Sequence, residues 1–154
     1  MEQLELVNRY LERLKRVYRG ENYLVWEDRK FHQDDFYSFF VHCNHLRDWV
    51  KELNKFGLTN SDIDDFVRVN KSIQLCADIA NRKKHCNRIK RSWSGNSPFI
   101  CVSKHSSASM NSDLGVRSEF SVLSGSETID ALDLACMCVR LWEEFLNERQ
   151  VKST

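Results

Sequence analysis

The stretch IQLCADIANRKKHCNRIKR, residues 73–91, decides the fold because its two halves obey different rules. In the first half Ile73, Cys76, Ala77 and Ala80 recur at helical spacing. Side chains this small let a neighbouring helix come close, so a buried, close-packed helix is predicted. The second half cannot share that burial. Arg82, Lys83, Lys84, Arg88, Lys90 and Arg91 crowd cations into the C-terminal end of the same predicted helix. There they complement the negative end of the macrodipole and would draw an anionic partner.

Working outward, the chain of 154 residues suits one domain, residues 1–154, long enough to bury a core without disulfides or metal. A formal net charge of +1 excludes a globally basic nucleic-acid binder, so any anion site must be local. The opening MEQLELVNRYLERLKR carries charges throughout and has no apolar h-region. Nowhere do about 18 apolar residues run together. A soluble, cytoplasmic protein without a membrane partner is expected. Six cysteines could suggest a disulfide framework, but Cys43, Cys76, Cys136 and Cys138 fall inside helical patterns. They read as small buried hydrophobes in a reducing compartment. His42, Cys43 and His45 lie close in sequence, yet no CxxC pair or second cluster accompanies them. Neither a metal nor another cofactor is expected.

Upstream, Leu4, Val7, Leu11, Leu14 and Tyr18 predict an amphipathic first helix ended by Gly20. Glu5 with Arg9, and Glu12 with Arg16, add acid-before-base pairs at a spacing of four. Residues 21–33 include Tyr23, Val25, Trp26 and Phe31 and are too apolar for a free linker, so they should fold back onto the bundle. The second helix is predicted from about Asp34 to Phe56, on the stripe Phe36, Phe39, Cys43, Leu46, Val50 and Leu53. His42 and Trp49 flank that stripe, while His45 and Asp48 fall on its far side. Thr59, Asn60 and Ser61 are alternative N-caps for a short third helix, about Asp62 to Val69. Asn70 either caps the central helix or lies within a continuous one.

Downstream, residues 92–98 end on the single proline, and the periodicity changes. PFICVSKH and SEFSVLSG are rich in β-branched and aromatic residues, so a β-hairpin over about residues 98–124 is predicted, with a serine-rich loop at 106–115. The last helix should start at Thr128 as N-cap, with Asp130 in its first turn, and run to about Glu148.

Asn81, Lys84 and His85 are the residues with chemical potential. A histidine beside several cations is biased toward its neutral, proton-accepting form. Such a base could deprotonate a ribose 2′-hydroxyl while a cation stabilises the phosphorane and an asparagine orients the phosphate. The same residues also read as an ordinary helix C-terminus. His45 and Asp48 could add a second acid/base group if the second and fourth helices meet there. Trp93 could stack on an exposed base, or belong to the core.

The layout FFVHCNHLRDWV (39–50), LCADIANRKKH (75–85) and ALDLACMCVRLWEEFL (131–146) resembles a group of small bacterial helical proteins and, more distantly, the HEPN superfamily. The resemblance covers about residues 36–85 and 129–146, with the hairpin as an insertion. It implies a bundle of four or five helices that often dimerises, and in many members a metal-independent endoribonuclease of toxin–antitoxin or phage-defence systems. Members carry an arginine followed, four to six residues on, by histidine, often with asparagine just after the arginine. Here Arg82 and His85 have two residues between them and Asn81 precedes the arginine, so that spacing is not reproduced.

The combined expectation is a mainly α protein, a bundle of about five helices with a small β-hairpin inserted before the C-terminal helix. Its first functional reading is binding of RNA or another polyanion through Arg82, Lys83, Lys84, Arg88, Lys90 and Arg91. A metal-independent ribonuclease using His85, Asn81, Arg82 and His45 is the second. An interaction or homodimerising module without a nucleic-acid role is the third.

Overall fold

The computed structural model describes residues 1–21, 29–53, 57–85, 92–107 and 116–152. Among these, five helices and a small antiparallel sheet share one apolar core. Helix α1, Glu2–Arg19, buries Val7, Leu11, Leu14 and Val17 on one face. It ends in a left-handed Gly20, φ 74°, whose amide donates to Val17 O at 3.2 Å while Glu21 N donates to Arg16 O at 2.9 Å. This paired closure needs a residue without Cβ, which is why the helix stops where the glycine stands.

Helix α2, Arg29–Leu53, begins five residues before the predicted Asp34. His32, 1% exposed, is the reason: it sits one turn before Phe36 and extends the buried stripe into a polar sequence. Tyr23, Val25 and Trp26, expected to fold onto the bundle, lie outside the described residues, as does the predicted helix end at Phe56. Helix α3, Asn60–Val69, starts two residues early because Thr59 takes the N-cap. Its Oγ1 accepts from Asp62 N at 3.2 Å, and Asp62 Oδ2 accepts from Thr59 N at 2.8 Å. Asn70 then separates α3 from α4, Lys71–Lys84. It holds the N-cap position of α4, with its carbonyl accepting from Gln74 N at 3.0 Å, while its side chain donates back to Phe66 O at 2.8 Å and closes α3. Helix α4 runs to Lys84, with His85 turned out of helical geometry, and the rest of the predicted stretch, to Arg91, lies outside the described residues.

The predicted hairpin is the first two strands of a three-stranded sheet, ordered β1 (Phe99–Ser107), β2 (Val116–Ser124), β3 (Glu127–Asp130). Ile100 pairs with Val122 and Val102 with Phe120, and the register shifts between Val102 and Lys104. The sharp turn at Gly125, φ 60°, brings Thr128 into β3 opposite Leu123, so Thr128 is a strand residue and not the cap of the last helix. Asp130 is that cap. Its Oδ1 accepts from Leu132 N at 2.9 Å and Asp133 N at 3.0 Å, and α5, Ala131–Lys152, follows without a loop.

Helices α1 and α4 both run antiparallel to α2, on opposite flanks. On the α1 side Arg13 meets Asp35 at 2.7 Å and Tyr10 stacks on His42. On the α4 side Lys83 faces Asp34, while the Cys76 thiol donates to Phe40 O at 3.5 Å. Cys43, Cys76 and Cys138 come together where α2, α4 and α5 meet, and all three are buried. Hydrogen bonding within the cluster and burial hold the Cys76 thiol well above its ordinary range, and burial does the same to Cys138. They act as small polarisable core residues. Among the described residues no helix is long and apolar enough to cross a membrane.

Side chains from the helices finish the sheet. The Tyr18 hydroxyl accepts from Phe120 N at 2.9 Å. Its single proton is shared between Phe120 O at 2.9 Å and Asp130 Oδ2 at 3.0 Å. On the other edge Gln33 Nε2 donates to Ile100 O at 2.7 Å and Ile100 N donates to the Tyr37 hydroxyl at 3.4 Å. Burial, with Asp130 adding to it, holds the Tyr18 hydroxyl far above its ordinary 10.0.

Tyr18→Phe should therefore leave a buried backbone amide without its partner and cost about 1–3 kcal/mol. At about 2–4 °C per kcal/mol for a chain of this size, a thermal melt should show the loss directly. The proton linkage has a definite sign. Above about pH 10 the unfolded tyrosine ionises while the native one keeps its proton, so stability falls as pH rises. In Tyr18→Phe that alkaline decline should be shallower, measured by urea denaturation at pH 8 and above pH 10.

Candidate functional site

The cationic end of α4 forms because the seam that buries Ile73, Cys76, Ala77 and Ala80 stops at Asn81. From Asn81 to His85 the chain carries polar residues only, and Lys83, Lys84 and His85 are exposed. Each cation is handled differently. Arg82 is half-buried: its Nη1 donates to Ser97 O at 3.1 Å and Pro98 O at 3.5 Å, and its guanidinium lies 5.3 Å from the Phe99 ring centroid. The Lys83 ammonium lies 4.6 Å from the Tyr37 ring centroid and 3.9 Å from Asp34. Both partners of that ion pair are more than half exposed, so it contributes at most about 1 kcal/mol and yields readily to a stronger anion. Lys84 stands in water beside it. Arg88, Lys90 and Arg91 lie outside the described residues.

The catalytic candidates are brought together only in part. Asn81 and His85 are one turn apart, joined by His85 N donating to Asn81 O at 3.0 Å. His45 is elsewhere. Tyr37 is level with Lys83, and His45 lies eight residues further along α2, about 12 Å at 1.5 Å per residue, in the direction away from His85. Its ring instead meets His42 edge-on at 6.1 Å, and His42 stacks on Tyr10 at 5.0 Å. Partial burial, and then the neighbouring His45, hold His42 below the usual imidazole value. Cys43 points into the core between these two histidines, so the three do not converge on one point. Among the described residues no group of three His, Cys, Asp or Glu side chains is placed to hold a metal ion.

Behind the cationic end lies a feature that sequence reading missed. Asp78, fully buried on α4, accepts four hydrogen bonds from the turn at residues 92–96. Trp93 N donates to its Oδ1 at 2.8 Å. Ser92 Oγ at 2.7 Å, Ser94 N at 2.8 Å and Ser94 Oγ at 2.6 Å donate to its Oδ2. A carboxylate taken out of water is tolerated when its lone pairs are filled in this way. The available signal was an acidic residue inside the small-residue seam LCADIA, a charge that demands donors from outside the helix. The anchored turn also decides the fate of Trp93. Its ring packs against the core, and the Arg47 guanidinium covers it at 5.1 Å, so a stacking role there is already taken by the protein itself. Arg47 is in turn bound to Asp64 at 2.9 Å.

Removing the anchor should release the turn. Asp78→Ala takes the acceptor from the Trp93 and Ser94 amides and the Ser94 hydroxyl, while Ser92 Oγ keeps Asn96 O at 2.6 Å, and should lower stability by about 2–4 kcal/mol. Hydrogen exchange at the Trp93 and Ser94 amides should rise far more than the global loss explains. Unchanged protection of those two amides would contradict the assigned role.

No known family model, curated protein or solved structure matches this chain.

Proposed function

We propose that the protein is an HEPN-like helical module that binds RNA or another polyanion through the C-terminal end of α4. One observation carries this reading: Lys83, Lys84 and His85 are exposed together where the buried seam of α4 ends, and their carboxylate neighbour Asp34 is only loosely engaged. Arg88, Lys90 and Arg91 add further charge in sequence beyond Cys86 and Asn87. Phosphate attraction requires clustered cations and no special geometry, which suits this surface. The HEPN-like part of the proposal rests on the sequence layout and on the antiparallel packing of α2 against α4, with α5 crossing both at the thiol cluster.

Metal-independent RNA cleavage by His85 is the second reading, favoured by Asn81 standing one turn away. It is the poorer fit. Arg82 is engaged by the Ser97 and Pro98 carbonyls, and His45 lies along α2 in the direction away from His85.

A salt series of RNA binding tests the proposal. Wild type should bind with an affinity that falls linearly in log–log form, and Lys83→Glu/Lys84→Glu should weaken binding and flatten the slope by about 1.4, at about 0.7 per lost contact. Binding that survives the double charge reversal unchanged overturns the proposal. RNA shortened in the presence of chelator, and left intact by His85→Ala, would favour the enzyme over the binding module.

A further inference from the structure

Two aromatic rings stand beside the cations at the end of α4. Arg82 lies over Phe99 and Lys83 over Tyr37, and the rings are linked because Ile100, which follows Phe99 in β1, donates its amide to the Tyr37 hydroxyl. The Arg82 guanidinium is fixed by the Ser97 and Pro98 carbonyls, so the plane it presents to Phe99 is set in advance. Phe99 nevertheless keeps 38% of its surface in water, whereas Ile100 next to it keeps 2%. A large aromatic side chain left more than a third in solvent, at a helix end whose Lys83 and Lys84 are exposed, offers two different things at once. The lysines attract phosphate, and the ring offers a π-face to any planar group that arrives with it.

Those two requirements are met together by a strand whose bases are unstacked. A duplex holds its bases inside and offers the ring nothing, and a polyphosphate carries charge without planar groups. We infer that the polyanion is single-stranded nucleic acid, with one base stacked on Phe99 and the flanking phosphates along Lys83 and Lys84. The inference rests on the polyanion-binding reading and adds the ligand class to it. Each ring has an arginine beside it, but Trp93 is also packed against the core, whereas Phe99 keeps 38% of its surface in water, so the stacking role falls to Phe99.

Fluorescence anisotropy with a labelled oligouridylate of about twelve nucleotides, within the site sizes usual for single-strand binders, provides the test. Duplex RNA of the same length and inorganic polyphosphate are the comparison probes. Phe99→Ala should weaken oligouridylate binding about 5- to 150-fold, the equivalent of one stacked base, and leave the other two probes unchanged. Phe99→Tyr should restore it. Phe99 is surface-exposed, and a thermal melt matched to wild type confirms that the fold is intact.

Oligouridylate affinity untouched by Phe99→Ala, while Lys83→Glu/Lys84→Glu still weakens it, overturns the stacking inference and leaves the polyanion reading standing. Equal weakening of all three probes by Phe99→Ala overturns it too, since the ring would then only be holding Arg82 in place. Absence of salt-sensitive binding to any probe removes the polyanion reading and this inference with it.

Discussion

Where a sheet meets a helical bundle, its edge amides and carbonyls lose water without gaining a neighbouring strand, and this protein meets that demand with helix side chains. The Tyr18 hydroxyl serves both backbone polar groups of Phe120, at the point where β3 has already turned into α5. Gln33 and Tyr37 serve Ile100 on the opposite edge. An unmet group of this kind costs about as much as several small apolar contacts supply, so the docking geometry has little freedom. It follows that the start of β1 is held against the N-terminal third of α2 and the C-terminal end of α4, and Phe99 stands beside Arg82 for that reason.

The same hydroxyl joins the sheet to the last helix. Asp130 uses Oδ2 for Tyr18 and Oδ1 for the first free amides of α5, so one carboxylate ends a strand, starts a helix and fastens both to α1. At the other side of the core, Cys43, Cys76 and Cys138 meet where three helices cross. Their small volume permits the close approach, and the Cys76 and Cys138 thiols still find backbone acceptors at Phe40 and Ser72. A larger apolar residue there would push α4 outward and carry its cationic end with it.

Much of the scaffold was legible because it is written in local patterns. The stripe from Phe36 to Val50, the glycine after α1, the small-residue seam of α4 and the alternation in β1 and β2 each report a periodicity or a cap that the neighbouring residues alone determine. The misread boundaries share another cause. Thr128 looks like a cap until Gly125 folds it against Leu123, and His32 looks like part of a linker until the core closes over it. In each case a contact with a distant or preceding residue outweighed a propensity worth a fraction of a kcal/mol. The candidate site was half legible for the same reason: the cations are in the sequence, while Asp78, Tyr37 and Phe99 join them only through the fold.

Counting charges along residues 82–84 also overstates what a ligand would meet. Successive residues on a helix are turned by about 100°, so three adjacent cations point three ways. Arg82 turns toward the strand and is held by carbonyls, Lys83 turns toward α2 and rests on Tyr37, and Lys84 turns to water. The adjacent acids Asp34 and Asp35 are split as well, one facing Lys83 and the other bound to Arg13 across the helix. Asp35 is the more buried and more tightly bound of the two, with its oxygen 2.7 Å from Arg13 against 3.9 Å for the Lys83 pair. The field at this end of the bundle is therefore graded: Arg13 is committed, Lys83 is loosely held, and Lys84 is open. Under the proposed polyanion binding, a phosphate would meet Lys84 first and then compete with Asp34 for Lys83.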